Sequence, residues 1–258
     1  MQGNNVIAKI LKAEGVDFIS CFPANTLIDQ AAKEGIKPMI CRQERAGVNI
    51  ADGFSRINNG RKIGVFVSQH GPGAENAFSG VAQAFSDSVP ILILPGGPPS
   101  DKVGISPAFS ASQQYTGITK WSGHVNKVSR IPELMRKAFS QLKNGKPGPV
   151  LLEIPTDVAQ EEFPESDFSY TPIKPLLSSA SKEDVRELVT AVLKAKNPII
   201  NAGQGILYSE ATSELIEFSE LTNIPVMTTL AGKSAFPENH KLSLGTGAHT
   251  ATVMAAEF

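Results

Sequence analysis

The strongest constraint on the fold is a regular alternation of strand-length apolar runs and helix-period segments that continues up to Pro155. The periodicity predicts helices over 4–14, 26–34, 44–58, 75–86 and 131–143. It predicts strands over 17–22, 38–41, 62–68, 89–94 and 149–154. Continuous apolar runs such as VPILIL are typical of strands that are buried on both faces. We therefore predict an α/β domain built as a doubly wound parallel sheet, with helices on both faces.

Residues 95–120 interrupt this alternation. The stretch contains GGPPS, SPAFSAS and QQYTG, which are rich in Gly, Pro, Ser and Gln and show little periodicity. A connection of this length inside a compact domain is more often a functional loop than a spacer. The sequence therefore predicts that this loop borders a binding site.

A change in composition divides the chain. Residues 159–182 are acidic and rich in Pro and Ser, which is typical of an interdomain linker. We predict a first domain over 1–160, a linker over 161–182 and a second, Rossmann-like α/β domain over 183–258. The second domain has helices predicted over 183–195 and 209–222, and strands over 197–203 and 224–229. Because two or three strands leave a large apolar face uncovered, we expect a fragment or one piece of a larger assembly.

Composition excludes several function classes. The chain has 24 Lys and Arg against 25 Asp and Glu, so it lacks the basic patch expected of a nucleic-acid or anionic-lipid binder. The longest strongly apolar stretch, 89–94, is far shorter than the ~20 residues of a membrane helix. The N-terminal sequence lacks the features of a signal peptide, and we expect a cytoplasmic protein. Cys21 and Cys41 form no metal-binding pattern, and we expect buried thiols rather than a disulfide.

Two motifs contain residues that could carry chemistry. In CRQERAGVNIADGFSR (41–56) a strand ends and a helix opens with Glu44 in its first turn. A carboxylate at that position is favoured by the helix dipole and needs no function. In SQHGPGAEN (68–76), Gly71 and Gly73 allow close approach of a ligand, and the next helix offers free N–H groups. By itself this turn could bind phosphate, bind a base or simply connect two elements; the GK[ST] of a P-loop is absent.

Together the two motifs are much more specific than either one. With VPILIL, GITKWS (117–122) and PVLLEIPTDV (149–158), they resemble the pyrimidine-binding domain of thiamine-diphosphate enzymes of the acetolactate synthase and benzoylformate decarboxylase group. That group has R-x-E-x-x-A-x-x-x-A-D-G-[YF]-[AS]-R, then a strand, then G-P-G-A-x-N. The matching residues are Arg42, Glu44, Asp52, Gly53, Phe54, Arg56, Gly71, Pro72, Gly73, Ala74 and Asn76. After the linker, NPIINAGQGI and GAHTATVMA resemble the beginning of the group's central domain.

The resemblance implies a role for Glu44. Thiamine diphosphate reacts through C2 of its thiazolium ring, and the cofactor's own 4′-amino group removes the C2 proton as the imino tautomer. A carboxyl group at N1′ of the pyrimidine promotes that tautomer, and Glu44 matches the family glutamate in this role. The resemblance also makes Pro23, Pro72 and Asn76 cofactor contacts. Pro23 precedes Ala24 and Asn25, which depart from the Pro-Gly-Gly turn that the family often has there.

Other polar residues near these motifs have weaker assignments. His70 precedes the glycine turn and is a candidate for proton transfer to the bound intermediate, or else a polar residue at a strand end; Gln69 is a weaker candidate of the same kind. His124, His240 and His249 are interpreted as isolated and structural or solvent-facing. Lys120 falls in the family's V-T-K-H-[SN] segment. Before it, Ala108 and Phe109 are followed by Ser110 and Ala111 instead of the synthases' Gln-Glu, so the substrate pocket is expected to differ.

The resemblance also implies a metal ion, a subunit assembly and a nucleotide question that do not depend on these motifs. The family binds Mg²⁺ and the diphosphate through a GDG motif with a downstream Asn in a C-terminal domain, and no GDG occurs here. In the family the site forms between two subunits, which implies a homodimer or homotetramer and a chain that does not turn over alone. Gly203-Gln204-Gly205 follows a strand, but Tyr208 replaces the third glycine of a dinucleotide motif. FAD, an adenine nucleotide and no ligand remain open for the central domain.

The resemblance predicts a thiamine-diphosphate-dependent enzyme, a transferase or lyase, that acts on a small-molecule 2-keto acid. Acetolactate synthase-like decarboxylation and carboligation is the first choice. A 2-keto acid decarboxylase or 2-hydroxyacyl lyase is the second. A truncated homologue without catalytic activity is the alternative from a different class. No nucleic acid and no membrane are expected as partners.

Overall fold

The computed structural model describes residues 1–176, 178–247 and 252–257, and it divides the chain into two compact units. The first unit is Met1–Leu176 and the second is Leu177–Phe258. Each unit has its own parallel sheet and its own hydrophobic core. His249 and the rest of 248–251 lie outside the described residues.

The first unit is built on a parallel sheet, as predicted, but the sheet has six strands rather than the five that the sequence indicated. They are β1 (Phe18–Cys21), β2 (Lys37–Ile40), β3 (Gly64–Ser68), β4 (Ile91–Gly97), β5 (Trp121–His124) and β6 (Val150–Pro155). Their order in the sheet is β2-β1-β3-β4-β6-β5, and every neighbouring pair is parallel. Strand β5 was not predicted, because WSGH is short, contains a glycine and is only partly buried.

Helices cover both faces of this sheet. They are α1 (Gly3–Ala13), α2 (Leu27–Lys33), α3 (Glu44–Ile57), α4 (Pro72–Ser86), α5 (Ala111–Gln114), α6 (Ile131–Lys143) and α7 (Thr156–Gln160). Successive side chains of a strand point to opposite faces. Val65 and Val67 therefore join the core under α1, α2 and α6, whereas Phe66 joins the core under α3 and α4. The doubly wound fold is confirmed.

The strand order creates a crevice at one edge of the sheet. From β1 the chain moves outward to β2, then returns past β1 to form β3. The connections that leave β1 and β3 therefore diverge, and ligands of open α/β sheets bind at the carboxyl ends of such strands. The segments 22–26 and 69–71, which carry Pro23 and His70, follow these two strand ends.

The first part of the predicted linker packs on the first unit. Phe163 is buried in its core, and Phe168, Tyr170 and Ile173 are partly buried against the same core. The compact unit accordingly extends to Leu176 rather than ending near residue 160. The boundaries of the two domains as proposed from the sequence remain a prediction.

The second unit has a three-stranded parallel sheet in the order β7-β8-β9. The strands are β7 (Ile200–Ala202), β8 (Val226–Thr229) and β9 (Ser243–Gly247), and the helices are α8 (Lys182–Lys194), α9 (Gly205–Tyr208), α10 (Thr212–Thr222) and α11 (Val253–Glu257). Strand β9 was not predicted, because SLGTG has one large apolar residue and two glycines. Among the described helices of either unit, none is long and apolar enough to cross a membrane.

Candidate functional site

Glu44 is the first residue of α3 and is only 5% exposed. The positive end of the helix dipole favours a carboxylate there. The Nδ2 of Asn76, from the second turn of α4, donates a hydrogen bond of 3.3 Å to Oε2 of Glu44. Within residues 1–176 this is the one hydrogen bond made by the carboxylate. A buried carboxylate can accept several hydrogen bonds, so Glu44 retains acceptor capacity for a ligand.

The glycine turn between β3 and α4 has the geometry that its sequence requires. Gly71 has φ +60°, a left-handed conformation that favours glycine, and it directly precedes the helix. Helix α4 begins at Pro72, three residues earlier than the predicted start at 75, because proline is well suited to the first helical position. Asn76 consequently lies in the second turn of the helix rather than at its start, and its side chain reaches Glu44.

The loop after β1 is fastened to the end of β3. The Nδ2 of Asn25 donates to the carbonyl oxygen of Ser68 at 2.7 Å, and its Oδ1 accepts from the N–H of Leu27 at 2.9 Å. These hydrogen bonds connect the two strand ends that flank the crevice. They explain why asparagine replaces the second glycine of the family's Pro-Gly-Gly turn. Pro23 lies exposed in this loop. The sequence did not identify this role of Asn25.

Ser68 is a second polar residue that the sequence analysis missed. Its hydroxyl is buried at the end of β3 and has no hydrogen-bond partner within residues 1–176. Buried polar atoms are nearly always satisfied, so an orphaned hydroxyl next to a glycine turn indicates a place where a ligand or water completes the site.

The predicted functional loop borders a cavity at the turn. The turn cavity, about 430 Å³, is lined by His70, Gly71, Pro72, Glu75, Pro98, Pro99, Lys102, Ile105, Ser106, Pro107, Ala108 and Phe109. His70 is exposed and also borders a smaller cavity of about 80 Å³, whose walls include Gln69 and Asn25. The position of His70 is compatible with contact to a ligand, whereas Pro23, Glu44 and Asn76 do not line the turn cavity.

A second cavity lies beside the first, at the ends of β5 and β6. The His124 cavity, about 240 Å³, is lined by Glu75, Pro98, Val103, Gly104, Pro107, Ala108, Phe109, Ser110, Gln113, Gln114, His124 and Glu153. The Nδ1 of His124 is 3.5 Å from Oε2 of Glu153. The interpretation of His124 as isolated is therefore wrong. The pairing of β5 with β6 brings the two residues together, and nothing in the local sequence of either strand reveals it.

Glu153 is 1% exposed and accepts hydrogen bonds from the N–H groups of Ala111 and Ser112, both at 3.1 Å, and from the Ser112 hydroxyl at 2.6 Å. Burial by itself would raise the pKa of Glu153. The interactions with His124, Ser112 and Ala111 outweigh burial, and the pKa lies below its usual range. Glu153 is therefore ionised at neutral pH and holds the start of α5.

Several other motif residues have structural roles. Arg56 donates to Asp52 and to Asp87, both at 2.7 Å, which joins α3 to the end of α4. Burial lowers the pKa of Lys120, whose ammonium donates to the carbonyl groups of Gln141 and Asn144 at the end of α6.

The remaining histidine and cysteine predictions can be placed as well. His240 packs edge-on against Phe236 and its Nε2 is 3.2 Å from Glu220, so the interpretation of His240 as isolated is wrong, although these contacts are in line with a structural role. Cys21 and Cys41 are free thiols, and burial raises the pKa of Cys21 to about 11. The described ranges contain no cluster of three or more His, Cys, Asp and Glu that could hold a metal ion.

Comparison with known proteins agrees with this geometry. Residues 1–121 match the family described as "Thiamine pyrophosphate enzyme, N-terminal TPP binding domain", and residues 185–258 match its "central domain". A "Probable acetolactate synthase large subunit" of Methanococcus aeolicus is 36% identical over 257 residues, covering 95% of this chain and 42% of the relative. The "Acetolactate synthase large subunit" of Haemophilus influenzae is 32% identical over 257 residues, covering 95% of this chain and 44% of the relative.

A plant protein is similar over the same region. "Acetolactate synthase 2, chloroplastic" of Nicotiana tabacum is 34% identical over 256 residues, covering 94% of this chain and 38% of the relative. The chain thus spans less than half the length of these curated relatives. The chain belongs to the thiamine pyrophosphate enzyme family, is related to its acetolactate synthases, and carries the family's N-terminal TPP-binding domain and central-domain sequence.

Proposed function

We propose that this chain forms the pyrimidine-binding part of a thiamine-diphosphate enzyme that decarboxylates a 2-keto acid and joins the product to a second keto acid. The proposal rests on the environment of Glu44. This residue is a buried carboxylate at a helix N-terminus, it has one long hydrogen bond from Asn76, and it lies at the carboxyl edge of the sheet.

The residues present fit the pyrimidine end of this cofactor. Glu44 has unused acceptor capacity, which a protonated ring nitrogen such as N1′ would satisfy. The hydroxyl of Ser68 is buried without a partner beside the turn, and Gly71 leaves the backbone open because a Cβ there would meet no atom within 4 Å. Pro72 and Asn76 follow in α4, and Pro23 follows β1. These residues would hold the pyrimidine between the loops that leave β1 and β3.

Thiamine diphosphate supplies, when bound, the nucleophilic carbon that cleaves a bond next to a keto group. Glu44 would hold a proton at N1′ of the pyrimidine and so favour the tautomer that the cofactor needs. The amide of Asn76 keeps the Glu44 carboxylate in place. His70 reaches the turn cavity and would move a proton at the substrate.

The names of the relatives support a proposal for the substrate class. Several of them are named acetolactate synthases, and we infer a 2-keto acid as the substrate of this chain. Mg²⁺ and the diphosphate would be held by residues beyond those of this chain. From the family resemblance we also propose that the enzyme containing this chain is a homodimer or homotetramer with the active site between subunits. Light scattering of the purified protein, with and without Mg²⁺ and thiamine diphosphate, tests that assembly.

Replacement of Glu44 tests the proposed function. In the assembly that binds the whole cofactor, Glu44→Gln should slow deuterium exchange at C2 of thiamine diphosphate by about 10²–10⁴-fold, as expected for loss of a proton-transfer residue. Glu133→Gln is the matched control, since Glu133 is also a first-turn glutamate but lies exposed on α6. Unchanged exchange in Glu44→Gln would refute the proposal, and exchange no faster than that of the free cofactor in both proteins would favour a homologue without catalytic activity.

Product analysis tests the type of reaction. With pyruvate as substrate, the active assembly should release acetolactate rather than acetaldehyde, and addition of 2-oxobutyrate should give a mixed product. Release of acetaldehyde alone would show simple decarboxylation instead of carboligation, and it would not affect the proposed role of Glu44.

A further inference from the structure

A carboxylate–imidazole pair lies at the far side of the loop cavities, and its histidine lies outside the motifs that carry the family resemblance. His124 ends β5 and Glu153 lies near the end of β6, and the two residues are direct partners in the sheet register. Their side chains approach to 3.5 Å between Nδ1 and Oε2. The imidazole lines the His124 cavity and is 28% exposed.

Glu153 fixes the orientation of this histidine. The N–H of Ala111 donates to Oε1 of this carboxylate, and Ser112 donates to Oε2, the oxygen that His124 approaches, so the carboxylate is held in place. A carboxylate near Nδ1 favours the imidazole form with its proton on that nitrogen, which leaves Nε2 as the free hydrogen-bonding atom. Glu153 is therefore a positioning residue that acts through His124.

The His124 cavity adjoins the turn cavity. Both are lined by the same five residues, which are Glu75, Pro98, Pro107, Ala108 and Phe109. The turn cavity reaches His70 and Pro72, and the His124 cavity reaches the ends of β5 and β6. A small ligand whose reacting atom lies at the turn can therefore direct its side chain toward His124.

The chemistry of the His124 cavity selects the type of side chain. His124, Gln113 and Gln114 offer hydrogen-bonding groups, and the two glutamine side chains have no partner within residues 1–176. The walls of this cavity already include the carboxyl groups of Glu153 and Glu75. An additional carboxylate would be repelled there, and an alkyl group would make no hydrogen bond to the partly buried imidazole of His124.

We propose that His124, positioned by Glu153, recognises a neutral hydroxyl group on the side chain of the 2-keto acid. The proposal rests on the proposed function for the substrate class and adds the substituent that distinguishes one keto acid from another. A site that hydrogen-bonds a hydroxyl group discriminates strongly against an analogue that lacks it.

Two isosteric acids test the proposal. Hydroxypyruvate and 2-oxobutyrate place a hydroxyl group and a methyl group at the same position. We expect the full chain to bind hydroxypyruvate at least ~10-fold more tightly than 2-oxobutyrate, and more tightly than oxaloacetate, which carries a second carboxylate. In ¹³C/¹⁵N-histidine-labelled protein, hydroxypyruvate should shift the His124 signal, which is assigned by its absence in His124→Asn.

Substitutions of His124 and Glu153 distinguish recognition of the hydroxyl group from a purely structural role of these residues. His124→Leu should lower the affinity for hydroxypyruvate to that for 2-oxobutyrate and leave 2-oxobutyrate binding unchanged. If this variant does not fold, His124→Asn provides the same comparison with a shorter polar side chain. Glu153→Gln should change the ¹⁵N shifts that report the imidazole tautomer, which a purely structural role for Glu153 would leave unchanged.

Two results would overturn the proposal. One is equal affinity for the two isosteric acids; the other is unchanged discrimination in His124→Leu. Absence of binding by either acid would also refute it. The deuterium-exchange experiment with Glu44→Gln needs no keto acid. A negative result in the keto-acid titrations therefore leaves the proposed function standing. A negative result in the exchange experiment does not change the outcome of the keto-acid titrations.

Discussion

At the scale of single residues, Ala24 adopts a conformation that its type disfavours. Its φ is +79°, in the left-handed region where a Cβ costs ~1–2 kcal/mol. Glycine adopts this conformation easily but loses more freedom on folding. Ala24→Gly should therefore raise the free energy of unfolding by up to about 1 kcal/mol, as measured by urea denaturation.

The control for Ala24→Gly is Ala82→Gly, inside α4. Glycine in a helix interior destabilises by ~0.5–1 kcal/mol relative to alanine, so the two variants should change stability in opposite directions. A loss of stability in Ala24→Gly equal to that in Ala82→Gly would show that the left-handed conformation costs nothing at residue 24.

Glu153 should make the stability of the first unit depend on pH. Its pKa is depressed in the folded protein, so its stabilisation is present above the ordinary glutamate pKa of about 4.3 and is lost as the pH falls through the folded pKa. Glu153→Gln should cost about 1–3 kcal/mol at pH 7, and the difference from the parent should shrink below about pH 4. Denaturation at several pH values checks this, with the exposed residue Glu161 as the site of a control substitution to Gln. A difference that is constant with pH would contradict it.

Individual site residues differed in how well the sequence revealed them. The Glu44 carboxylate and the Gly71 turn lie within contiguous motifs, so their spacing along the chain was sufficient. Asn25 and Ser68 meet through the pairing of β1 with β3, and His124 meets Glu153 through the pairing of β5 with β6. Such contacts depend on strand register, which no local pattern specifies.

At the scale of elements, close packing of α3 on α4 brings Glu44 near Asn76. A Cβ added at Gly80 of α4 would lie 2.9 Å from Cγ1 and 3.0 Å from Cβ of Val48, a buried residue of α3. The Cβ of Val48 is bonded directly to the backbone and cannot move aside without moving the helix. Gly80→Ala should therefore separate the two helices and cost about 1–3 kcal/mol, as overpacking does.

Gly53→Ala is the matched control for this prediction. Gly53 lies inside α3, and a Cβ there would meet no atom within 4 Å. Alanine should then stabilise the helix by about 0.5–1 kcal/mol through its higher helix propensity. Both values can be measured by thermal or urea unfolding, and a stabilising Gly80→Ala would show that the helices do not require this close approach.

Long helices and strands with clear periodicity were predicted more accurately than short ones. Helix α6 was predicted with its observed bounds of 131–143, because its apolar residues recur at helical spacing and Pro132 marks its first turn. Strand β5 and the short helices α5 and α7 were missed, since they contain four or five residues each. Elements of that size are stabilised by tertiary contacts, such as those of Glu153 with the start of α5, rather than by local propensity.

At the scale of the whole molecule, one buried cluster sets where the first unit ends. The carboxylate of Glu14, at the end of α1, is fully buried and accepts a hydrogen bond of 2.6 Å from Lys143. It also accepts from the Tyr170 hydroxyl and, at 3.0 Å, from the N–H of Ile173. Burial, and then the negative charge of Glu14, raise the pKa of Tyr170. These contacts attach the segment that follows α7 to α1 and α6, although its Pro/Ser-rich composition is typical of a free linker.

Glu14→Ala should release this segment. The substitution leaves the Lys143 ammonium, which is 15% exposed, without its carboxylate, and loss of one partner of a buried pair costs ~3–5 kcal/mol. The more exposed pair of Lys9 with Glu34 provides the control, because Glu34→Ala should cost less than ~1 kcal/mol. Limited proteolysis should cut Glu14→Ala within residues 168–176 much faster than the parent, while cleavage elsewhere in the first unit stays slow. Equal protection of the segment in both proteins would mean that the apolar contacts of Phe163, Phe168 and Ile173 hold it without Glu14.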